Sequence, residues 1–335
     1  EAGGVDYVTK PFQAPEVLAR VDTHLRLARL RRDLEARNAE LQQALRRTDL
    51  VFTALANTLP GTVLDERYRL ESQIGSGGFG TVFRATHLGL GRSVAVKVFR
   101  PAPGNSTPEG LERFRMEGIS ACRINHPNAV AVHDFAISST GVAYLVMELL
   151  EGVPLSAELA ARGRLPVARA AGIGASVCEA LAAAHAAAVV HRDVKPENVF
   201  LHRDAEGETV KVLDFGVAKL RDGDGASVTV TGEIVGTPAY IAPERLLGRD
   251  YDGRSDVYGV GVLLYRALAG RPPFGDEHAG AAAILVRTLN EAPAPLEADV
   301  PEPLAALVMR ALAKEPDARP TAADLAAELR RLASP

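Results

Sequence analysis

The sequence predicts an α+β chain in which a small β-rich lobe is followed by a larger helical lobe, with one long helix in front of both. Three observations lead there. Between Glu16 and about Asn57 there is neither Pro nor Gly, and Leu and Arg abound, so nothing interrupts a helix. From Tyr68 to about Met147 short runs of alternating polarity separated by Gly-bearing turns take over. Beyond Met147, stretches rich in Ala, Leu and Arg run to Leu332. A length of 335 residues leaves room for two or three folded units and a sizeable core.

Composition removes several function classes. A formal net charge of −4 argues against a cationic nucleic-acid binder, and the interleaved acids around Arg26, Arg29, Arg31 and Arg32 make that cluster a solvated helix face. Cys122 and Cys178 form neither a disulfide framework nor a metal motif and are expected as buried reduced thiols. The apolar runs around Ala180–Val190 and Val257–Leu268 are short and interrupted by His185 or Arg266, so no membrane span and a cytoplasmic protein are expected. With no initiator Met and no signal peptide, the first residues read as the interior of something longer.

Taken in order, the chain opens with a strand-like run, Asp6-Tyr7-Val8-Thr9, ending at Lys10-Pro11-Phe12. The helix that follows accepts a heptad frame on Leu27, Leu30, Leu34, Arg37, Leu41, Ala44, Thr48, Val51 and Leu55. Seven of those nine positions are apolar while charged residues lie off the seam, as a two-chain coiled coil over residues 16–58 would want; a single amphipathic helix packed on a neighbour is the alternative. Leu59-Pro60-Gly61 then breaks it.

The β-rich lobe, about residues 61–147, begins with strands expected at Tyr68–Ile74 and Thr81–Thr86. Between them lies Ile74-Gly75-Ser76-Gly77-Gly78-Phe79-Gly80-Thr81-Val82, whose glycines would let backbone amides approach phosphates closely. A dinucleotide-binding fold would put a helix directly after such a loop; here a second strand follows. Val94-Ala95-Val96-Lys97-Val98 is an alternating strand that carries one of only six lysines among 38 cationic residues.

At this point the chain resembles a protein kinase, and the roles that follow are what that resemblance implies. Lys97 would contact the α- and β-phosphates of ATP and pair with a Glu on the helix expected near Pro108–Cys122. Glu117 is preferred over Glu112 because of its distance from the His126-Pro127-Asn128 turn. His191-Arg192-Asp193-Val194-Lys195-Pro196-Glu197-Asn198 matches the family's catalytic loop without a gap. It makes Asp193 the residue that accepts or orients the substrate hydroxyl proton, Lys195 the cation on the migrating γ-phosphate, and Asn198 a Mg²⁺ ligand. A Lys two places after the Asp is the serine/threonine pattern. Asp214-Phe215-Gly216 supplies the second metal ligand, Asp214, for Mg²⁺, with Mn²⁺ as a substitute. Adenine would lie between Val82, Ala95 and Phe200, with backbone hinge contacts near Glu148 and Leu150 and with Met147 behind it. Ala242-Pro243-Glu244 resembles the close of the activation segment, with Arg319 as the ion-pair partner of Glu244, and Asp256 resembles the buried helix Asp that braces the catalytic loop.

The resemblance covers residues 61–332 and is to bacterial eukaryotic-like (Hanks-type) serine/threonine protein kinases, so the fold implied is the two-lobed kinase fold, with the helical lobe over about 152–332. It implies ATP- and Mg²⁺-dependent phosphorylation of protein substrates. The Ala242-Pro243-Glu244 segment and the docking-loop pattern Gly236-Thr237-Pro238-Ala239-Tyr240 speak against a small-molecule kinase. Arg192 before Asp193 marks kinases ordered by a phosphate in the activation segment, which nominates Ser227, Thr229 and Thr231. Residues 1–25 resemble the last strand and helix of a response-regulator receiver domain, with Lys10 as its switch lysine. One strand and one helix cannot form a doubly wound sheet, so this piece is either part of a longer receiver–coiled-coil–kinase protein or a remnant. In the former, a coiled-coil homodimer would promote phosphorylation in trans. No nucleic acid or membrane partner is expected.

Overall fold

A computed structural model describes residues 22–26, 28, 29, 32, 36, 37, 58–77, 80–99, 123–138, 141–215, 238–275, 280–297 and 299–333. The chain divides into two compact units, Glu1–Thr58 and Leu59–Pro335. In the first, the described residues between 22 and 37 are helical, and Arg26 Nε lies 2.8 Å from Asp22 Oδ2 one turn earlier. Of the heptad frame only Arg37 is among the described residues; the apolar seam, Lys10 and the rest of the receiver-like stretch 1–21 lie outside them.

The second unit begins with a six-stranded antiparallel sheet ordered β1-β2-β3-β4-β6-β5. Its strands are β1 Val63–Leu64, β2 Tyr68–Gly77, β3 Gly80–His87, β4 Arg92–Phe99, β5 Val132–Ile137 and β6 Ala143–Met147. Strands β2 and β3 are longer than their sequence pattern suggests, because pairing continues through Ser76↔Thr81 to Gly77↔Gly80 although neither side has an apolar face to advertise it. A Cβ on Gly80 would stand 2.1 Å from the Val98 carbonyl oxygen at φ +156°, so only glycine allows β3 to start that close to β4. In β4 six consecutive residues, Val94 to Phe99, are buried. Lys97 is therefore carried inside, opposite Val82 on one side and Leu145 on the other.

The helical lobe opens with β7 Gly152–Pro154, which pairs with β8 Val199–Asp204 and β9 Gly207–Val212 in a three-stranded sheet. Around it stand α1 Leu155–Arg162, α2 Val167–Ala186, α3 Pro243–Leu246, α4 Arg254–Ala269, α5 Ala281–Asn290, α6 Glu302–Ala311 and α7 Ala322–Ala333. The core is the contact of α2 and α4 with α6 and α7 around Leu181, Tyr258, Leu263, Leu264, Leu304 and Leu329. Helix α4 stops where Gly270 turns left-handed at φ +75° and donates its N–H to the Arg266 carbonyl. Helix α7 starts with Thr321 as its N-cap: the Asp324 N–H donates to Thr321 Oγ1, while that hydroxyl donates to Asp324 Oδ2.

One sequence expectation changes here. Helix α2 is long and apolar enough to cross a membrane by length and composition, contrary to the reading that its run is cut at His185. It is nevertheless the central packing element of this lobe, with Ala175, Val177, Cys178, Ala180 and Leu181 fully buried. Cys178 is the buried free thiol expected, and burial pushes its ionisation well up; Cys122 lies outside the described residues. The helix expected near Pro108–Cys122 also lies outside them.

Candidate active site

The segment from His191 to Asn198 joins α2 to β8, and buried partners fix it at almost every residue. Asp256, in the first turn of α4 and 1% exposed, takes the backbone N–H of His191 at 2.8 Å and of Arg192 at 2.7 Å. His185 Nε2 reaches the same carboxylate at 2.8 Å. Burial pushes the Asp256 carboxyl up, but the bond from His185 and the N–H of His191 outweigh it and hold the group below the usual range. This is the brace expected from the sequence.

His191 is fully buried and spans the gap to the end of β9. Its Nδ1 accepts the Asp193 N–H at 3.2 Å, which leaves the proton on Nε2 to donate to the Leu213 carbonyl at 2.7 Å. The edge of its ring meets Phe215 at 4.9 Å between centroids. Pro196 starts a short 3₁₀ turn over Pro196–Asn198, and Val199 passes directly into β8.

Asp193 projects from this loop with its carboxylate partly exposed. Lys195 Nζ lies 2.7 Å from its Oδ2, and Asn198 Nδ2 donates to the same oxygen at 3.0 Å and to the Asp193 carbonyl at 2.8 Å. Both side-chain contacts fall on Oδ2, leaving Oδ1 without either donor. Asn198 spends its amide N–H groups inward, which makes Oδ1 its remaining ligand atom. The Leu213 N–H donates to the Asn198 carbonyl at 2.9 Å, bringing Asp214 beside Asn198. Asp214 turns left-handed at φ +60°, a conformation that Asp tolerates better than most residues, and its Oδ1 lies 2.6 Å from Lys97 Nζ. Asp193, Lys195, Asn198, Asp214 and Lys97 thus form one constellation from three separate segments. Lys97 was expected on Glu117, which lies outside the described residues, as do Gly78, Phe79, Gly216, Ser227, Thr229 and Thr231.

Beside this polar centre lies an apolar cluster of Ala95, Val130 and Met147, with Val82, Val132, Leu149, Leu150 and Leu213 packed on it. It joins the predicted Val82, Ala95, Met147 and Leu150. Phe200 does not pack on it; that residue sits half-buried on β8, on the face opposite Val199 and Leu201. Of the glycine-loop residues described, Ile74 is half exposed, and a Cβ on Gly75 would meet Val82 at ordinary contact distance. Glu148 is tied into its surroundings by both backbone and side chain. Its N–H donates to the Ala131 carbonyl at 2.9 Å, so only its carbonyl is left for a hinge ligand. Its Oε1 accepts the Ala131 N–H at 2.7 Å and lies 2.8 Å from Lys211 Nζ. Sequence reasoning missed Val130, Val132, Leu213 and Lys211 here; the rarity of lysine was the one signal that pointed at Lys211.

Behind the loop, Glu244 and Arg319 form a two-pronged ion pair, both contacts 2.8 Å, with the Arg319 side chain 0% and the Glu244 side chain 3% exposed. Ser255 Oγ donates to Glu244 Oε1 at 2.5 Å, and Arg319 also donates to the carbonyls of Ala313, Lys314 and Arg254. This is the pairing expected from Ala242-Pro243-Glu244. Helix α4 presses directly on the loop at Gly259, where an added Cβ would come within 2.9 Å of Val194 Cβ and 3.1 Å of its carbonyl oxygen. Gly259→Ala is expected to displace the residue next to Asp193 and to cost about 1–3 kcal/mol of stability. Chemical denaturation checks the second part, and a turnover loss larger than the stability change accounts for checks the first.

Comparison with known proteins agrees with this geometry. The protein kinase domain pattern matches residues 68–329. The serine/threonine-protein kinase PknA of Mycobacterium tuberculosis is 42% identical over 263 residues, covering 77% of this chain and 59% of that protein. Pkn1 of Myxococcus xanthus is 44% identical over 258 residues, covering 75% of this chain and 36% of that protein. The chain therefore spans well under two thirds of the length of these relatives. Among solved structures, the kinase domain of M. tuberculosis PknI superposes with a TM-score of 0.64 at 28% identity, covering 82% of this chain and 99% of that one.

Proposed function

The chain belongs to the protein kinase family, and from that premise we propose that it transfers the γ-phosphate of ATP to serine and threonine hydroxyls of protein substrates in a bacterial signalling pathway. The observation that carries this reading is the held carboxylate of Asp193, with Lys195 at 2.7 Å and Asn198 at 3.0 Å on one oxygen, beside the Asp214–Lys97 pair at 2.6 Å.

The remaining oxygen of Asp193 is suited to take the hydrogen bond of an incoming hydroxyl and orient it for in-line attack. Lys195 balances negative charge that gathers on the transferred group, and Lys97 holds the α- and β-phosphates. The oxygen of Asn198 and the carboxylate of Asp214 are hard ligands, few in number, which fits a Mg²⁺ or Mn²⁺ ion that keeps its other positions for water and phosphate. When bound, that ion supplies charge neutralisation across the β- and γ-phosphates. Val82, Ala95, Met147 and Leu150 offer an apolar bed for adenine, and the Glu148 carbonyl and Leu150 N–H the hinge contacts. Residues 74–80 would cover the phosphates, and Glu117 would align Lys97.

The reading extends to regulation. Phosphorylation at Ser227, Thr229 or Thr231 would give Arg192 an anionic partner, and a coiled-coil homodimer over residues 16–58, following a receiver segment at 1–25, would favour transfer between copies. ATP as co-substrate supports a cytoplasmic location. The test is transfer of labelled γ-phosphate from ATP to a generic protein substrate, with Mg²⁺ and with chelator, for the native chain and Lys97→Met. Metal-dependent transfer that the substitution abolishes is expected; transfer that persists with chelator or in Lys97→Met would overturn the reading.

A further inference from the structure

Arg192 stands at φ +71°, a left-handed conformation in which a non-glycine residue persists only when its surroundings over-determine it. Asp256 holds its N–H on one side. On the other side, the Arg192–Asp193 peptide unit is gripped at both ends: His191 Nδ1 takes the Asp193 N–H, and Arg245 Nη1 donates to the Arg192 carbonyl. Arg245 belongs to α3, immediately after Glu244, and nothing in the sequence motifs marks it. Its guanidinium carbon lies 5.5 Å from the centre of the Tyr251 ring, and so does that of Arg192. Two cations converging on one ring repel each other, and the ring face offsets that repulsion by attracting both. Arg192 Nε is buried and makes no hydrogen bond among the described residues.

We propose that Arg245, stacked on Tyr251, is a positioning residue that fixes the Arg192–Asp193 peptide and thereby aims the Asp193 carboxylate. The proposal rests on the kinase reading above. Without the Arg245 donor the peptide can rotate and Arg192 can relax to negative φ, which turns Asp193 away from the acceptor hydroxyl. Neither Lys97, Asp214 nor the apolar adenine bed is touched, so nucleotide binding is not altered.

The test is steady-state phosphate transfer by Arg245→Met, Arg245→Lys, Tyr251→Ala and the double variant Arg245→Met/Tyr251→Ala, with melting temperatures for each. Arg245→Met is expected to lose about 10–100-fold in kcat with KM for ATP unchanged, Arg245→Lys to recover part of it, and the double variant to lose no more than Arg245→Met alone. Hydrogen exchange at the amides of residues 191–193 should quicken in Arg245→Met, a readout independent of turnover. Unchanged kcat in Arg245→Met, additive losses in the double variant, or a loss that only follows a lowered melting temperature would each overturn the proposal. A native chain that transfers no phosphate would overturn the kinase reading as well, which separates the two failures.

Discussion

Asp193→Asn is expected to lower kcat for phosphate transfer by about 10²–10⁴-fold while leaving ATP affinity near that of the native chain. The two effects separate because of where the contacts fall. The amide oxygen of an Asn can still accept Lys195 and Asn198, so the loop keeps its shape, and its fixation by Asp256 and His191 is untouched. What is lost is the anionic acceptor proposed for the substrate hydroxyl. The nucleotide contacts proposed above fall on Lys97, Asp214 and the cluster around Ala95 and Met147, which the substitution does not reach. Initial rates with calorimetric titration of ATP read both halves. A variant that turns over like the native chain would remove Asp193 from the reaction.

Arg319→Met is expected to be the most destabilising single change considered, at about 3–5 kcal/mol, because it strands the Glu244 carboxylate in the interior. The carbonyls of Ala313, Lys314 and Arg254 lose a donor in the same step. Against a total of roughly 5–15 kcal/mol for folded domains, such a loss lowers the melting temperature by about 10 °C or more. Adding Glu244→Gln should recover part of it, since the stranded charge is then gone. Acid unfolding gives a second reading. Burial pushes the Glu244 carboxyl up, but Arg319 and Ser255 outweigh it and hold its folded value below the ordinary one. The pair's contribution is therefore complete above about pH 4.3 and is lost as pH falls through the folded value, so Arg319→Met should flatten the acid limb of the stability curve. A melting temperature like that of the native chain would contradict the assignment of this pair as a structural anchor.

Contiguous chemistry was what the sequence made legible. The eight residues from His191 to Asn198 and the Asp214-Phe215-Gly216 segment could be read, through their resemblance to protein-kinase motifs, as a metal-assisted phosphoryl-transfer site because each motif is contiguous. The pairing of Glu244 with Arg319 and the brace at Asp256 also emerged, through resemblance, although 75 and 64 or 65 residues separate those partners. Contacts with no motif behind them did not. Arg245 reaches the Arg192 carbonyl, and Lys211 reaches Glu148 across 63 positions, only because the helical lobe folds these segments together. Val130 belongs to the apolar cluster and Val132 packs on it from the start of β5, a stretch too short for its pattern to stand out. The length of α2 was misjudged because its apolar run was taken to begin near Ala180, whereas the helix starts at Val167 and ends one residue after His185, whose partner is Asp256.

The most direct test of the account is the phosphoamino-acid content of protein labelled from γ-labelled ATP by the native chain with Mg²⁺. Phosphoserine and phosphothreonine, absent from the product of Asp193→Asn, are predicted. Label confined to phosphotyrosine, or equal labelling by the Asp193→Asn chain, would contradict it.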